Sequence, residues 1–235
     1  MCRFKSGIIL NKKIILAEGG NESHSAILEK LGIEDNYINA SKTFVRAELI
    51  PKDEAWWVDP DAEPDKWEFV VDQDITPEWF SLDKQKYEAD FRKAVCGWWK
   101  EHIFVDKKID TLSDGYYRLK RCEVKKLLKN VQVLLISSTV QEMCDNSTVQ
   151  EMHDSSTVQE MYDRSTVQEM RGSSTVQKMY DRSTVQEMYG SSTVREMYGS
   201  SMARNFKNHP DIKVYVAKGG RFKMIIFKNE EDGVK

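Results

Sequence analysis

Hydrophobic and polar positions fall into two regimes along this chain. Over residues 138–200 they repeat with a strict period of nine: Ser-Thr-Val-Gln-Glu-Met, a variable residue, Asp or Gly, then one small, polar or charged residue. Valine fills the third slot at Val140, Val149, Val158, Val167, Val176, Val185 and Val194, and the methionine slot follows three residues later, from Met143 to Met197. A period of eighteen lies inside the first. Asp163-Arg164 and Asp181-Arg182 alternate with Gly172-Ser173 and Gly190-Ser191, until Gly199-Ser200 breaks the alternation. The variable slot divides in the same way, with Tyr162, Tyr180 and Tyr198 in one phase and His153, Arg171 and Tyr189 in the other. Two nonapeptides therefore read as one coil of a flattened β-solenoid with two short strands.

A helix is disfavoured on three counts. Nine residues at about 100° each turn the valine to the opposite side in every copy. Thr-Val pairs and periodic glycine lower helix propensity, and the roughly six residues before each break are too few for an autonomous helix. The polar, low-complexity composition leaves disorder as the other alternative. In a solenoid, strand alternation points Val inward and Thr and Gln outward. Met lies three positions on, so it needs a bend in the chain; a corner position is expected, where its thioether fills an irregular gap. Three and a half coils, about 4.8 Å apart, would make a rod about 17 Å long whose ends need covering.

The flanking segments lack the repeat. Residues 1–110 read as a small α+β head: a hairpin over 3–17, a short helix capped by Ser23 or Ser25 and stopped at Gly32, and a strand over 43–50 closed by Pro51. An acidic loop over 52–66 and a strand over 67–73 follow, then a helix start at Thr76-Pro77-Glu78 and a long helix over 83–102, with Tyr87, Phe91 and Val95 at helical spacing. Residues 111–137 are expected to form a transition and N-terminal cap, with strands at 116–122 and 131–136. Val131 and Leu134 would take the Val and Met slots of a degenerate copy. In residues 201–235, a C-terminal cap, Ala203 and Phe206 replace Val and Met, Ile212 and Tyr215 keep the slots, and strands at 212–217 and 222–227 turn at Gly219-Gly220. The fold class expected is mainly β: a small α+β N-terminal domain, a short β-solenoid of eighteen residues per coil, and a C-terminal β cap.

Composition narrows the function classes. A net charge of −3 gives no basic field for nucleic acid. No apolar run reaches the length of a spanning helix, and residues 1–20 lack the layout of a signal peptide. Cys2, Cys96, Cys122 and Cys144 are scattered, as free thiols in a reducing cytoplasm would be. No nucleophile elbow, phosphate-binding glycine loop or zinc-ligand spacing occurs. His24, His102, His153 and His209 share no metal-binding spacing, and the acidic run Asp59, Asp61, Glu63, Asp65 lacks the glycine of a calcium loop. No catalytic residue, cofactor or metal is expected. The binding candidates are aromatic and cationic. Trp56 and Trp57 cannot both face one core from a regular element, so they are either interface anchors or core residues at an irregular edge. Tyr162, Tyr180 and Tyr198 should form an aromatic ladder along the rod, with Arg164 and Arg182 stacked two positions away.

The array resembles short-period solenoid repeats in uncharacterised proteins of bacteriophages and gut bacteria, in which a small N-terminal domain precedes near-identical copies. The segments Ser6-Gly7-Ile8-Ile9-Leu10, Phe44-Val45-Arg46-Ala47-Glu48-Leu49 and Val71-Asp72-Gln73-Asp74 look like that companion domain. The resemblance implies a phage or prophage origin and brings no catalytic residues. Two functions are then expected in competition. One is a non-catalytic binding or scaffolding protein that engages a protein partner or self-associates into an oligomer. The other is a small-molecule binder that sequesters a host nucleotide signal, with Arg46 and Lys66 taking the phosphate and Trp56 and Trp57 the base.

Overall fold

A computed structural model describes residues 4–203. The chain divides into two compact units between Ile103 and Phe104. In the first, β1 (Lys5–Leu10) and β2 (Lys13–Leu16) form the expected hairpin, paired from Gly7–Leu16 to Leu10–Lys13. Helix α1 (His24–Lys30) starts where the Ser23 hydroxyl accepts the Ala26 amide, and it ends ahead of Gly32, whose φ of 65° suits glycine. Helix α2 (Tyr37–Lys42) is a structure-only finding. It is capped by the Asn36 side chain and buries no residue, so no apolar periodicity announces it. Strands β3 (Phe44–Pro51) and β4 (Trp67–Val71) and helices α3 (Glu78–Leu82) and α4 (Lys84–His102) follow close to their predicted places.

These strands form one antiparallel sheet in the order β2-β1-β3-β4. Alternation sends Ile8 and Phe44 to one face, where they pack with Ile27 and Leu28 of α1. Gly7, Ala47 and Leu49 go to the other face, under α4. A side chain at Gly7 would begin 2.8 Å from the Phe91 ring and 2.9 Å from the Ile15 carbonyl, so glycine there admits the helix. Phe91 and Val95 are fully buried, and Phe91 meets Phe69 edge-on at 5.6 Å. Lys5 is also buried on that side. Its ammonium reaches Glu22 at 3.0 Å and the Ala17 carbonyl at 2.7 Å, and it lies 4.0 Å over the Trp98 ring.

The second unit is a β-solenoid of about eighteen residues per turn and about six turns. One wall stacks β6 (Lys108–Leu112), β8 (Glu123–Leu127), β10 (Thr139–Met143), β12 (Thr157–Met161), β14 (Thr175–Met179) and β16 (Thr193–Met197). The other stacks β5 (Ile103–Val105), β7 (Gly115–Lys120), β9 (Val131–Ile136), β11 (Thr148–His153), β13 (Thr166–Met170), β15 (Thr184–Met188) and β17 (Met202–Ala203). From β10 and β11 onward the pairing is parallel and joins like to like: Val140, Val158, Val176 and Val194 in one file, Val149, Val167 and Val185 in the other. Ala203 takes the Val slot opposite Val185, as the decaying motif predicts. The predicted partners Phe206, Ile212 and Tyr215 and the strands at 212–217 and 222–227 lie outside the described residues.

The expected three and a half coils are too few, because the solenoid continues back through segments that do not look like the repeat. Ile109, Val124 and Val140 stack in file, as do Leu112, Leu127 and Met143. Those rungs advance by 15 and 16 residues, which hides them from a search at nine or eighteen. On the other wall Val133 and Leu135, rather than Val131 and Leu134, align with Val149 and Met152. A register shift between Val149 and Glu151 absorbs the difference.

Val and Met are both fully buried along the rod, except that Met188 and Met197 retain slight exposure. The ladders pair Thr, Val, Glu and Met and pass over Gln, so alternation is reset inside the strand, at Gln, rather than at a corner beyond it. Met closes each strand facing inward. Serine, one slot before Thr, is buried in every copy from Ser138 to Ser192. Ser138, Ser156 and Ser183 donate to nearby carbonyls, whereas the hydroxyls of Ser147, Ser165, Ser174 and Ser192 have no partner among the described residues. The Asp/Gly slot is the left-handed corner. Asp145, Asp163 and Asp181 have φ of 54–56°, and Gly172, Gly190 and Gly199 have φ of 63–66°. Only residues tolerant of that region fit there, which accounts for the narrow choice at this slot.

Candidate binding surfaces

Stacking brings the predicted aromatic ladder together. The rings of Tyr162, Tyr180 and Tyr198 lie 5.0 Å apart from rung to rung and within 9° of parallel. The rings are half-buried, and two of the three hydroxyls are tied down. Tyr162 donates to Glu160, and Tyr198 donates to Glu196 at 2.6 Å. The same relation runs along the other wall, where His153 meets Glu151 at 2.7 Å, Arg171 meets Glu169, and Tyr189 donates to Glu187. In five of the seven copies the variable slot thus holds a donor that satisfies the glutamate two residues before it, the exceptions being Cys144 and Tyr180, which follows Lys178. Sequence reading treats the slot as free, since Tyr, His and Arg share only the ability to donate.

Charge is balanced within the ladder. Lys178 interrupts the glutamate file and reaches Glu160 at 3.2 Å, and Lys126 reaches Glu142 at 2.7 Å. Hydrogen bonds from Tyr162 and Lys178 hold the Glu160 carboxyl below its ordinary value, and the His153 contact does the same for Glu151. Donation to glutamate pushes Tyr162, Tyr189 and Tyr198 upward. Arg164 and Arg182 are exposed at the neighbouring corner. With Asn146 and the file Asp145, Asp163 and Asp181 they line a shallow groove of about 400 Å³. The first two Asp amides bond the carboxylate of the next rung, Asp145 to Asp163 at 3.1 Å and Asp163 to Asp181 at 3.3 Å.

The head candidates do not converge. Trp56 is buried and Trp57 half-buried. Their rings meet edge-on at 5.6 Å, and the Trp56 carbonyl accepts the Trp99 indole at 2.9 Å. Lys66 is exposed and paired with Glu63 at 2.7 Å. Arg46 lies elsewhere, on a cleft of about 620 Å³ lined by Asp35, Tyr37, Asp72, Gln73 and Asp74 among others, with its guanidinium paired to Asp35. The Gln73 side chain braces this edge, accepting the Arg46 amide at 2.8 Å and donating to the carbonyls of Ala40, Phe44 and Ile75.

One cluster escapes sequence reading altogether. His24, Glu48 and Asp72 bring a ring nitrogen and two carboxylates within 4.8 Å of one another. They come from three separate elements, so no local spacing betrays them; the sole sequence signal is a charged residue at Glu48 within an apolar strand. Among the described residues, no helix is long and apolar enough to cross a membrane. Compared with known proteins, the chain matches no family model, no curated protein and no solved structure.

Proposed function

We propose that this is a non-catalytic binding and scaffolding protein of phage or prophage origin, working in the host cytoplasm. Its solenoid wall mediates association between copies, and its head takes a partner. The observation that carries this reading is the file Tyr162–Tyr180–Tyr198, a flat aromatic strip spaced at 5.0 Å. A strip repeated over three successive rungs offers three weak, equal contacts to a second copy of itself, and their effects add. Free thiols at Cys96, Cys122 and Cys144 suit a reducing compartment.

The test is light scattering across a concentration series, on the intact chain and on the triple variant Tyr162→Ser/Tyr180→Ser/Tyr198→Ser. The intact chain is expected as an oligomer and the triple variant as a monomer. An intact chain that stays monomeric at every concentration sinks the self-association reading.

A second reading, a small-molecule binder in the head that sequesters a nucleotide signal, is favoured by the cleft beside Arg46. Its difficulty is charge. Asp35 engages Arg46, Asp72 and Asp74 share the wall, and a phosphate would have to displace that pairing. Native mass spectrometry of protein purified from its host decides this reading: a nucleotide mass supports it, and a clean apo mass counts against it.

A further inference from the structure

We propose that His24, Glu48 and Asp72 bind one divalent first-row transition-metal cation at the edge of the head sheet. This site goes beyond the scaffolding role and is independent of the solenoid.

Topology brings the three together. Glu48 sits in the middle of β3, and Asp72 follows the end of β4. The Asp72 amide bonds the Arg46 carbonyl at 2.9 Å, which extends the β4 pairing by one residue. By strand alternation Asp72 then shares a face with Glu48 and Val70, the face that α1 covers. His24, the first residue of α1, is set down on that pair.

The imidazole is oriented as a ligand would be. His24 is buried, and its Nε2 lies 3.2 Å from the Ala47 carbonyl, which can only accept. Nε2 therefore carries a proton. In the neutral ring the lone pair is on Nδ1, which faces Asp72 Oδ2 at 3.3 Å. A backbone carbonyl on the remote nitrogen is a recurrent device for fixing the tautomer of a metal-bound histidine. The contact is attractive when a cation bridges Nδ1 and Asp72, either a proton on the ring or a metal ion.

Glu48 gives the independent sign. Its side chain is 5% exposed, and among the described residues no donor reaches its carboxylate. Ser6, opposite it in the β1–β3 register, has a buried hydroxyl that likewise lacks a partner. Buried carboxylates ordinarily find a counter-charge or several donors. Two ligands each about 2.1 Å from an ion stand at most about 4.2 Å apart. His24 Nδ1 and Asp72 Oδ2, 3.3 Å apart, already lie inside that limit, and with Glu48 the three ligand atoms lie within 4.8 Å of one another, so ion binding draws the set slightly inward. The Asp72 side chain is 58% exposed. That exposure opens onto the cleft with Asp35 and Asp74, which supplies a negative approach path and open coordination positions. One imidazole with two carboxylates suits zinc or manganese, whereas magnesium and calcium favour oxygen-only shells.

The experiment uses the full chain, stripped with chelator and titrated with MnCl2, followed by the paramagnetic signal of free Mn2+, and with ZnCl2, followed by calorimetry. One ion per chain is expected, with millimolar Mg2+ failing to compete. Asp72→Asn, at an exposed position whose folding circular dichroism will verify, is expected to weaken binding at least tenfold, and Glu48→Gln and His24→Gln likewise. Asp163→Asn, in the solenoid's acidic file, is expected to leave it unchanged. Should Glu48→Gln or His24→Gln fail to fold, Asp72→Asn decides alone. No saturable binding of either ion, an affinity unmoved by Asp72→Asn, or loss in Asp163→Asn instead would overturn the proposal. In the first of these outcomes His24 and Asp72 are simply an imidazolium–carboxylate pair.

Discussion

In the head, Phe91 fits a space that only Gly7 leaves, beside Phe69, and no other position repeats that arrangement. In the solenoid, Val158 lies between Val140 and Val176, and each of those sits in the same surroundings one rung away. The head therefore specifies its structure by contacts that exist once, the solenoid by one contact made many times. Repetition secures packing but weakens register, since a slip of one whole rung would again place Val on Val and Met on Met. The corner residues disfavour the half-rung slip: Asp163 and Asp181 occupy corners on one wall while Gly172 and Gly190 occupy the other, and a slip of nine residues would interchange them.

The contrast can be broken most forcefully in the two cores. All six tryptophans lie within residues 56–99, so tryptophan fluorescence follows the head alone, while strand circular dichroism is weighted to the solenoid. Phe91→Ala is expected to cost about 3–5 kcal/mol and to lower the fluorescence transition. Met170→Ala is expected to cost about 2–5 kcal/mol, seen in the dichroism, with fluorescence unchanged. If both variants shift both probes equally, the units are not separable in the way their cores imply.

Next in size comes the corner backbone. Gly190→Ala places a methyl group 2.9 Å from the Gly172 carbonyl at a φ of 65°, and should cost about 1–2 kcal/mol or more. Gly32→Ala in the head has the same φ but nothing within 4 Å, so its cost stays near about 1 kcal/mol. Equal losses in chemical denaturation would remove the stacking term from the argument. Gly97→Ala, inside α4 with open space around it, has the opposite sign and should stabilise the head by about 0.5–1 kcal/mol.

The smallest effects are electrostatic and belong to the solenoid. Lys178→Glu would complete a like-charged file from Glu142 to Glu196, with a modest loss that shrinks as salt is added. A salt-independent loss would point to packing instead. The pH response has two sides. Glu160 and Glu151 titrate below the ordinary value of 4.5, so their contribution is complete above that value and is lost as pH falls through their lower folded values. Tyr162, Tyr189 and Tyr198 titrate above 10, so theirs is complete below 10 and is lost as pH rises through the higher folded values. Stability measured by chemical denaturation should change more between neutral pH and either extreme in the intact chain than in a variant with Phe at all three tyrosines and Gln at Glu151 and Glu160; matching pH profiles would count against these hydrogen bonds.

Much of this architecture was legible residue by residue. A period of nine with Val and Met in constant slots, doubled to eighteen by Asp and Gly, is enough to define a coil and to stack Tyr162 on Tyr180, because identical rungs leave identical side chains one above another. Helix caps and apolar spacing likewise placed α1 and α4. The sequence could not disclose rungs of 15 or 16 residues with Ile109, Val124 and Leu127 at the inner slots, since many apolar residues fill a core and only the backbone ladder shows which are in file. It could not disclose that the variable slot is in most copies a donor slot, because that relation is one of geometry to the preceding glutamate. Nor could it assemble His24, Glu48 and Asp72. Residues far apart in the chain meet only when a helix is laid across a sheet, and that crossing is decided by the packing of Ile27 and Leu28 on Ile8 and Phe44, not by anything local to the three side chains.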